Sequence, residues 1–167
     1  MDLNIVYFQR GKLRDVQLYR SPFAIKMLDA RDTIARTEIQ LDLLKNNKLL
    51  IRTDDLEKEV KFGQPVTLAG VGSFLIMKNP ASMFTSDKYA FSISSVDETV
   101  AGLMQGLSVS VTNKLITVID LSIDHPIPRK GEDILSKLIQ KYVEGNLRDK
   151  NEVADSTIKF IQNRLAY

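Results

Sequence analysis

The residues best able to do chemistry are few, and their spacing argues against catalysis. His125 is the single histidine in 167 residues, and there is no cysteine. A lone imidazole between Asp124 and Pro126 has no second imidazole with which to hold a metal. As the base of a nucleophilic triad it would need a strained turn of the G-x-S-x-G kind, and the sequence has none. His125 therefore reads as a solvated loop residue. The absence of cysteine removes disulfides, thiolate nucleophiles and thiolate zinc sites together. No catalytic residue, metal site or cofactor is expected, and the chain reads as a non-enzyme.

Three other patterns invite a chemical reading. Gly70-Val71-Gly72-Ser73 has two of the glycines of a phosphate-cradling loop, but position 75 is leucine and FLIM follows. A strand at that point lacks the free N–H groups and dipole of a helix N-terminus that would hold a phosphate. A bend between strands is the simpler reading. Lys137, Lys141, Arg148, Lys150, Lys159 and Arg164 are interleaved with Glu132, Asp133, Glu144, Asp149, Glu152 and Asp155. That mixture is a solvated helix surface, not a nucleic-acid stripe. Tyr7, Phe8, Tyr19, Tyr89 and Phe91 fall at strand positions. They fit a core or sheet face, with a sugar-stacking platform as the sharper alternative.

The elements that would position these residues follow from the pattern of the chain. The formal net charge is +2, from 23 basic and 21 acidic residues, so a polyanionic partner is not demanded. The longest apolar run, Leu68 to Met77, is broken by Gly70, Gly72 and Ser73, well short of the ~20 residues that span a bilayer. Leu3 to Gln9 and Lys12 to Tyr19 read as strands around a tight Arg10-Gly11 hairpin. Ser21-Pro22 breaks the pairing, Phe23 to Leu28 is a third apolar run, and Asp29 to Arg36 is polar with no clear period. Thr37 to Leu44 alternates as a strand, Asn46-Asn47 suits a turn, and Leu49 to Arg52 returns. Thr53 to Lys61 is charged and fits an exposed connection. Phe74 to Lys78 and Tyr89 to Ser94 are further strands. Ser95-Val96-Asp97-Glu98 matches a helix capping box, and the short helix it starts ends near Gly106. Leu107 to Thr112 and Leu115 to Ile123 form a hairpin around Asn113-Lys114.

Pro128 to Tyr167 reads as one long helix. Leu135, Ile139, Val143, Leu147, Ala154, Ile158, Ile161 and Leu165 recur at helical spacing. Pro128 can open it, because a first-turn proline gives up a donor that has no partner anyway. We expect its first half to lie on the sheet and bury four apolar side chains. No stop signal follows, so the helix is expected to be cut short and the chain to be part of a longer protein. The order gives an α+β fold: a mixed sheet with a short strand–helix–strand unit, one long C-terminal helix and a β-rich N-terminal part. We expect a single domain over 1–167, with a β-rich part at 1–88 and a sheet with the long helix at 89–167.

With these residues in view, the last ninety or so resemble the periplasmic domain of bacterial polysaccharide co-polymerases. These are the Wzz- and Wzc-type chain-length determinants and exopolysaccharide tyrosine kinases. The stretch from AFSISSVDETV through LSVSV, the Asp/Pro entry DHPIP and the helix follows their order. Tyr142 stands just before Gly145-Asn146-Leu147-Arg148, close to the family's Gly-Asn-Val-Arg signature with leucine in place of valine. Lys150, Ala154, Phe160 and Leu165 also sit where the family places similar residues. DLNIVYF, Ser21-Pro22 and KFGQPV resemble the β-rich insert of the kinase-type members. The family's helical lead-in before the first strand is missing.

The resemblance implies a membrane-anchored parent, with a membrane helix on either side of this segment and, in some members, a cytoplasmic tyrosine kinase. It implies a ring-forming homo-oligomer on the periplasmic face of the inner membrane, working with the polysaccharide polymerase and export machinery. Tyr142, Asn146, Arg148 and Lys150 become candidate helix-packing or oligomer contacts. The function to expect is an extracytoplasmic scaffold that governs chain length and export of a capsular or exopolysaccharide. The alternative is a glycan-binding module whose aromatics touch the polymer directly. An exposed apolar stripe on the long helix would in either case need a partner.

Overall fold

The computed structural model describes residues 3–30, 36–111 and 118–165. The expected Asn113-Lys114 turn, the start of the strand expected from Leu115, most of the polar stretch before Arg36, and Tyr167 lie outside them. Contacts divide the chain into two units, Met1–Gln105 and Gly106–Tyr167.

The first unit contains β1 (Ile5–Gln9), β2 (Val16–Leu18), β3 (Phe23–Ala30), β4 (Thr37–Leu43), β5 (Lys48–Arg52), β6 (Glu57–Lys61), β7 (Pro65–Leu68), β8 (Gly72–Lys78), β9 (Lys88–Ile93) and nearly all of α1 (Val96–Gly106). One sheet has six strands in the order β2-β1-β9-β4-β5-β6, and the other has three in the order β3-β8-β7. β9 is therefore an interior strand of the first unit, so the boundary expected after residue 88 falls inside this sheet.

The core lies between the two sheets. Ile39 and Leu41 of β4, Leu49 and Ile51 of β5, and Tyr89, Phe91 and Ile93 of β9 form one cluster with Phe23, Ile25, Val66, Phe74 and Ile76 from the three-stranded sheet. Phe23 joins the layers, with its ring edge-on to Tyr7, Tyr89 and Phe91 at centroid distances of 5.3, 5.7 and 6.1 Å. Phe74 meets Phe91 in the same way at 5.8 Å. Burying each such side chain contributes ~1.5–3 kcal/mol before entropy, and the edge-to-face pairs add to that.

Local sequence sets several joints. Asn46 and Asn47 take φ of 62° and 64°, left-handed values that asparagine tolerates, in the short connection between Leu43 and Lys48. The Ser95 Oγ accepts the Glu98 N–H at 3.1 Å and opens α1. The α+β class is as expected, but the details of pairing differ. Every described strand pairing is antiparallel. The strands flanking α1 belong to different sheets, so strand–helix–strand here is not a parallel crossover.

Two further expectations need correction. Arg10-Gly11 is not a tight hairpin, because Gln9 pairs with Val16 and residues 10–15 form a longer loop. Gly11 is required there because a Cβ would stand 2.2 Å from the Arg14 carbonyl oxygen. The charged stretch after Thr53 is not all connection, since Glu57–Lys61 is the edge strand β6. Its charges face solvent, as suits an edge, and only Val60 is buried.

The second unit contains β10 (Leu107–Val111), β11 (Ile119–Ile123) and α2 (Pro128–Leu165). Among the described residues, β10 and β11 pair only with each other. Of the 38 residues of α2, Gly131 alone is buried. The expectation that its first half would bury four apolar side chains on a sheet is thus overturned. The reason is size: five residues per strand give a ribbon of ~17 Å, against ~57 Å of helix.

Candidate functional site

The surface that stands out is built by the β10–β11 hairpin. Its register pairs Leu107 with Ile123, Val109 with Leu121 and Val111 with Ile119; between them Ser108 faces Ser122, and Ser110 faces Asp120. Directly paired residues share a face and successive residues alternate faces. One face is therefore entirely aliphatic, and the other is serine and aspartate. In a two-layer fold such a face would be covered. Here Val109, Val111 and Ile119 are each 60% exposed.

The junction with α2 is close and specific. His125 Nδ1 accepts a hydrogen bond from the Ile127 N–H at 3.0 Å, which shapes the turn before Pro128. His125 is half-buried rather than freely solvated. A Cβ on Gly131 would lie 3.2 Å from Ile123 Cγ2 and 3.4 Å from His125 Cβ. The glycine lets the first turn of the helix rest against β11. Burial there also pushes the Lys130 ammonium below its ordinary pKa.

Beyond that turn α2 shows its apolar residues to solvent. Ile139, Val143, Leu147, Ile158, Ile161 and Leu165 of the expected stripe are all exposed. Tyr142, Val153 and Phe160 widen it. The opposite surface is held by local polar contacts: Lys137 donates to Gln140, Gln140 to Glu144, and Lys141 to Glu144 at 2.9, 2.8 and 2.7 Å. The Lys141 hydrogen bond and charge hold the Glu144 carboxyl below its ordinary value.

The four residues singled out by resemblance all lie on α2 and all are exposed. A 3.6-residue period sets Tyr142, Asn146 and Lys150 in one row beside the apolar stripe, with Arg148 turned well away from that row. The helix thus groups three of the four.

The remaining motifs resolve into architecture. Gly70 takes a φ of 79° and Gly72 one of 106°; Gly70 lies between β7 and β8, and Gly72 begins β8. Tyr89 and Phe91 are fully buried and are core, not a stacking platform. Tyr7 is half-buried and its hydroxyl accepts the Ile25 N–H at 3.1 Å. Among the described residues no cluster of histidine, aspartate and glutamate has the form of a metal site, and no helix is long and apolar enough to cross a membrane.

The aliphatic hairpin face escaped the sequence reading. Its signal was present in Leu107-x-Val109-x-Val111 and Ile119-x-Leu121-x-Ile123, but only the register shows that the two patterns share one side. No family model matches the chain, and no curated protein matches it.

Proposed function

We propose that this chain is the extracytoplasmic scaffold and oligomerisation domain of a membrane-anchored polysaccharide co-polymerase. In this reading it works at the periplasmic face of the inner membrane and has no catalytic role of its own. It assembles with copies of itself and with the polymerase and export machinery, and so governs the length and export of a capsular or exopolysaccharide. The reading rests on the resemblance of the last ninety residues. The observation that carries it is the open end of the aliphatic face of β10–β11, where Val109, Val111 and Ile119 are exposed while Leu107, Leu121 and Ile123 are half-buried. A soluble two-stranded ribbon is marginal by itself, and a contiguous apolar face marks a contact surface. Each of the three exposed side chains would contribute up to ~1.5–3 kcal/mol once covered.

The test is made in the membrane-anchored parent, in cells that produce the polymer. Val109→Asp with Ile119→Asp places two charges on the aliphatic face. The expected result is loss of assembly in cross-linking and loss of the normal polymer length distribution. Unchanged assembly and unchanged polymer length would overturn the reading. Asn146→Ala with Arg148→Ala tests the resemblance-derived contacts separately, and an unaltered polymer removes those two residues from it.

A further inference from the structure

The first unit carries a polar concavity that the scaffold reading does not use. It opens on the outer face of the six-stranded sheet, has a volume of about 570 Å³, and is lined by residues of four separate segments: 10–12, 40 and 42, 52, and 86–88. That volume is of the order of small-molecule sites, about 300–1,000 Å³.

Its walls are fixed before any ligand arrives. Arg52 Nη1 donates to Asp42 Oδ2 at 2.6 Å, and Arg52 Nε lies 3.2 Å from Glu57 Oε1. Backbone bonds tie the rim together: the Arg10 N–H donates to the Lys88 carbonyl at 3.1 Å, and the Leu43 N–H to the Asp87 carbonyl at 2.7 Å. From beneath, the buried Tyr89 hydroxyl accepts the N–H groups of Thr85 and Ser86 at 2.8 and 3.0 Å. The Gly11 N–H donates to Asp15 Oδ1 at 3.2 Å and holds the β1–β2 loop.

The functional groups that remain free define the ligand. Among the described residues, Lys12 and Lys88 have no ion-pair partner, and the Gln40 and Asp87 side chains have no hydrogen-bond partner. Two uncommitted ammonium groups attract a negative charge. The Asp42 and Asp87 carboxylates and the Gln40 amide oxygen accept hydrogen bonds, and so call for hydroxyl donors. Sulfate has no donors and phosphate near neutral pH has only one or two, and either would face both carboxylates. A neutral sugar would leave the lysines unused. We infer that this cleft binds a hydroxyl-rich carboxylate of sugar size, that is, a uronate unit of an acidic saccharide. The proposal does not rest on the scaffold reading, whose surface lies in the other unit.

The test is a backbone-amide NMR titration of the whole chain at low ionic strength, with trigalacturonate, maltotriose and inorganic phosphate as probes. Trigalacturonate is expected to give saturable shifts at Gly11, Gln40, Ser86 and Lys88 that weaken as salt is added. Maltotriose should give none, and phosphate should bind at least about tenfold more weakly. Lys12→Met with Lys88→Met should weaken trigalacturonate binding about tenfold or more, with the rest of the spectrum unchanged. Should that double variant lose its fold, Lys88→Gln serves the same comparison. Three results would each overturn the inference: no saturable shift, phosphate binding as tight as trigalacturonate, or affinity unchanged in the folded lysine variant. None of them would touch the hairpin surface.

Discussion

The two units solve opposite problems. Every buried hydrophobic residue among those described, from Ile5 to Ile93, lies in the first unit. Among its described residues the second unit buries only Gly131. Both carry alternating or periodic aliphatic residues of similar type, so composition does not separate them. Layering does. In the first unit a three-stranded sheet covers the inner face of a six-stranded one. In the second, a two-stranded ribbon meets a helix several times its length; Leu107, Leu121 and Ile123 are half-buried, while Val109, Val111, Ile119 and most apolar residues of the helix stay exposed. Among the described residues the buried core thus lies in the first unit, and the second leaves most of its apolar residues exposed.

The sharpest way to break this comparison is to delete one aromatic ring from each unit. Phe23 is 1% exposed and Phe160 is 60% exposed. Phe23→Ala should cost ~3–5 kcal/mol, because it empties the joint between the two sheets. Phe160→Ala should change stability by no more than about 0.5 kcal/mol. Urea unfolding followed by tyrosine fluorescence, which reports Tyr7 and Tyr89 beside Phe23, measures both. Equal effects would mean that the second unit has a core of its own.

A smaller effect tests whether the first unit's rigidity extends to its loops. Tyr89→Phe keeps the buried ring and removes only the oxygen that accepts the Thr85 and Ser86 N–H groups. Leaving such donors unsatisfied costs ~1–3 kcal/mol. The same variant should broaden or shift the amide signals of residues 85–88, which form part of the cleft wall. A native spectrum in that loop would show that the hydroxyl anchors nothing.

How much of this was legible in the sequence depends on the range of the interaction. Local signals were sufficient for the Asn46-Asn47 turn, the Ser95 cap and the long helix from Pro128, because each is decided within a few residues. The edge strand β6 was hidden, since Glu57, Lys58 and Glu59 face water and only Val60 reports a core. Gly11 owes its place to the Arg14 carbonyl, which no two-residue turn pattern signals. Sheet partners were least accessible: β9 lies between β1 and β4, and no local pattern names neighbours so distant in the chain. The candidate surfaces follow the same rule. Tyr142, Asn146, Arg148 and Lys150 came from resemblance alone. The hairpin face needed the register, and the cleft needed four segments brought together.

The smallest effect concerns how α2 stays helical with so little packed against it. Its polar side carries the chain Lys137–Gln140–Glu144–Lys141 of short hydrogen bonds, the i,i+3 and i,i+4 support that exposed helices use. Glu144 has its pKa lowered, first by the hydrogen bond from Lys141 and then by that lysine's charge. A carboxyl depressed on folding stabilises the folded form above its unfolded pKa, and that contribution is lost as pH falls through the folded value. A side-chain carbon NMR titration should place the Glu144 midpoint below the ordinary glutamate range. Lys141→Met should move it back up, and added salt should shift it in the same direction, because the pair is exposed and screened. Helicity at neutral pH should fall only slightly in that variant. A large loss would mean that these surface contacts, rather than backbone propensity along the whole helix, keep the uncovered half of the molecule ordered.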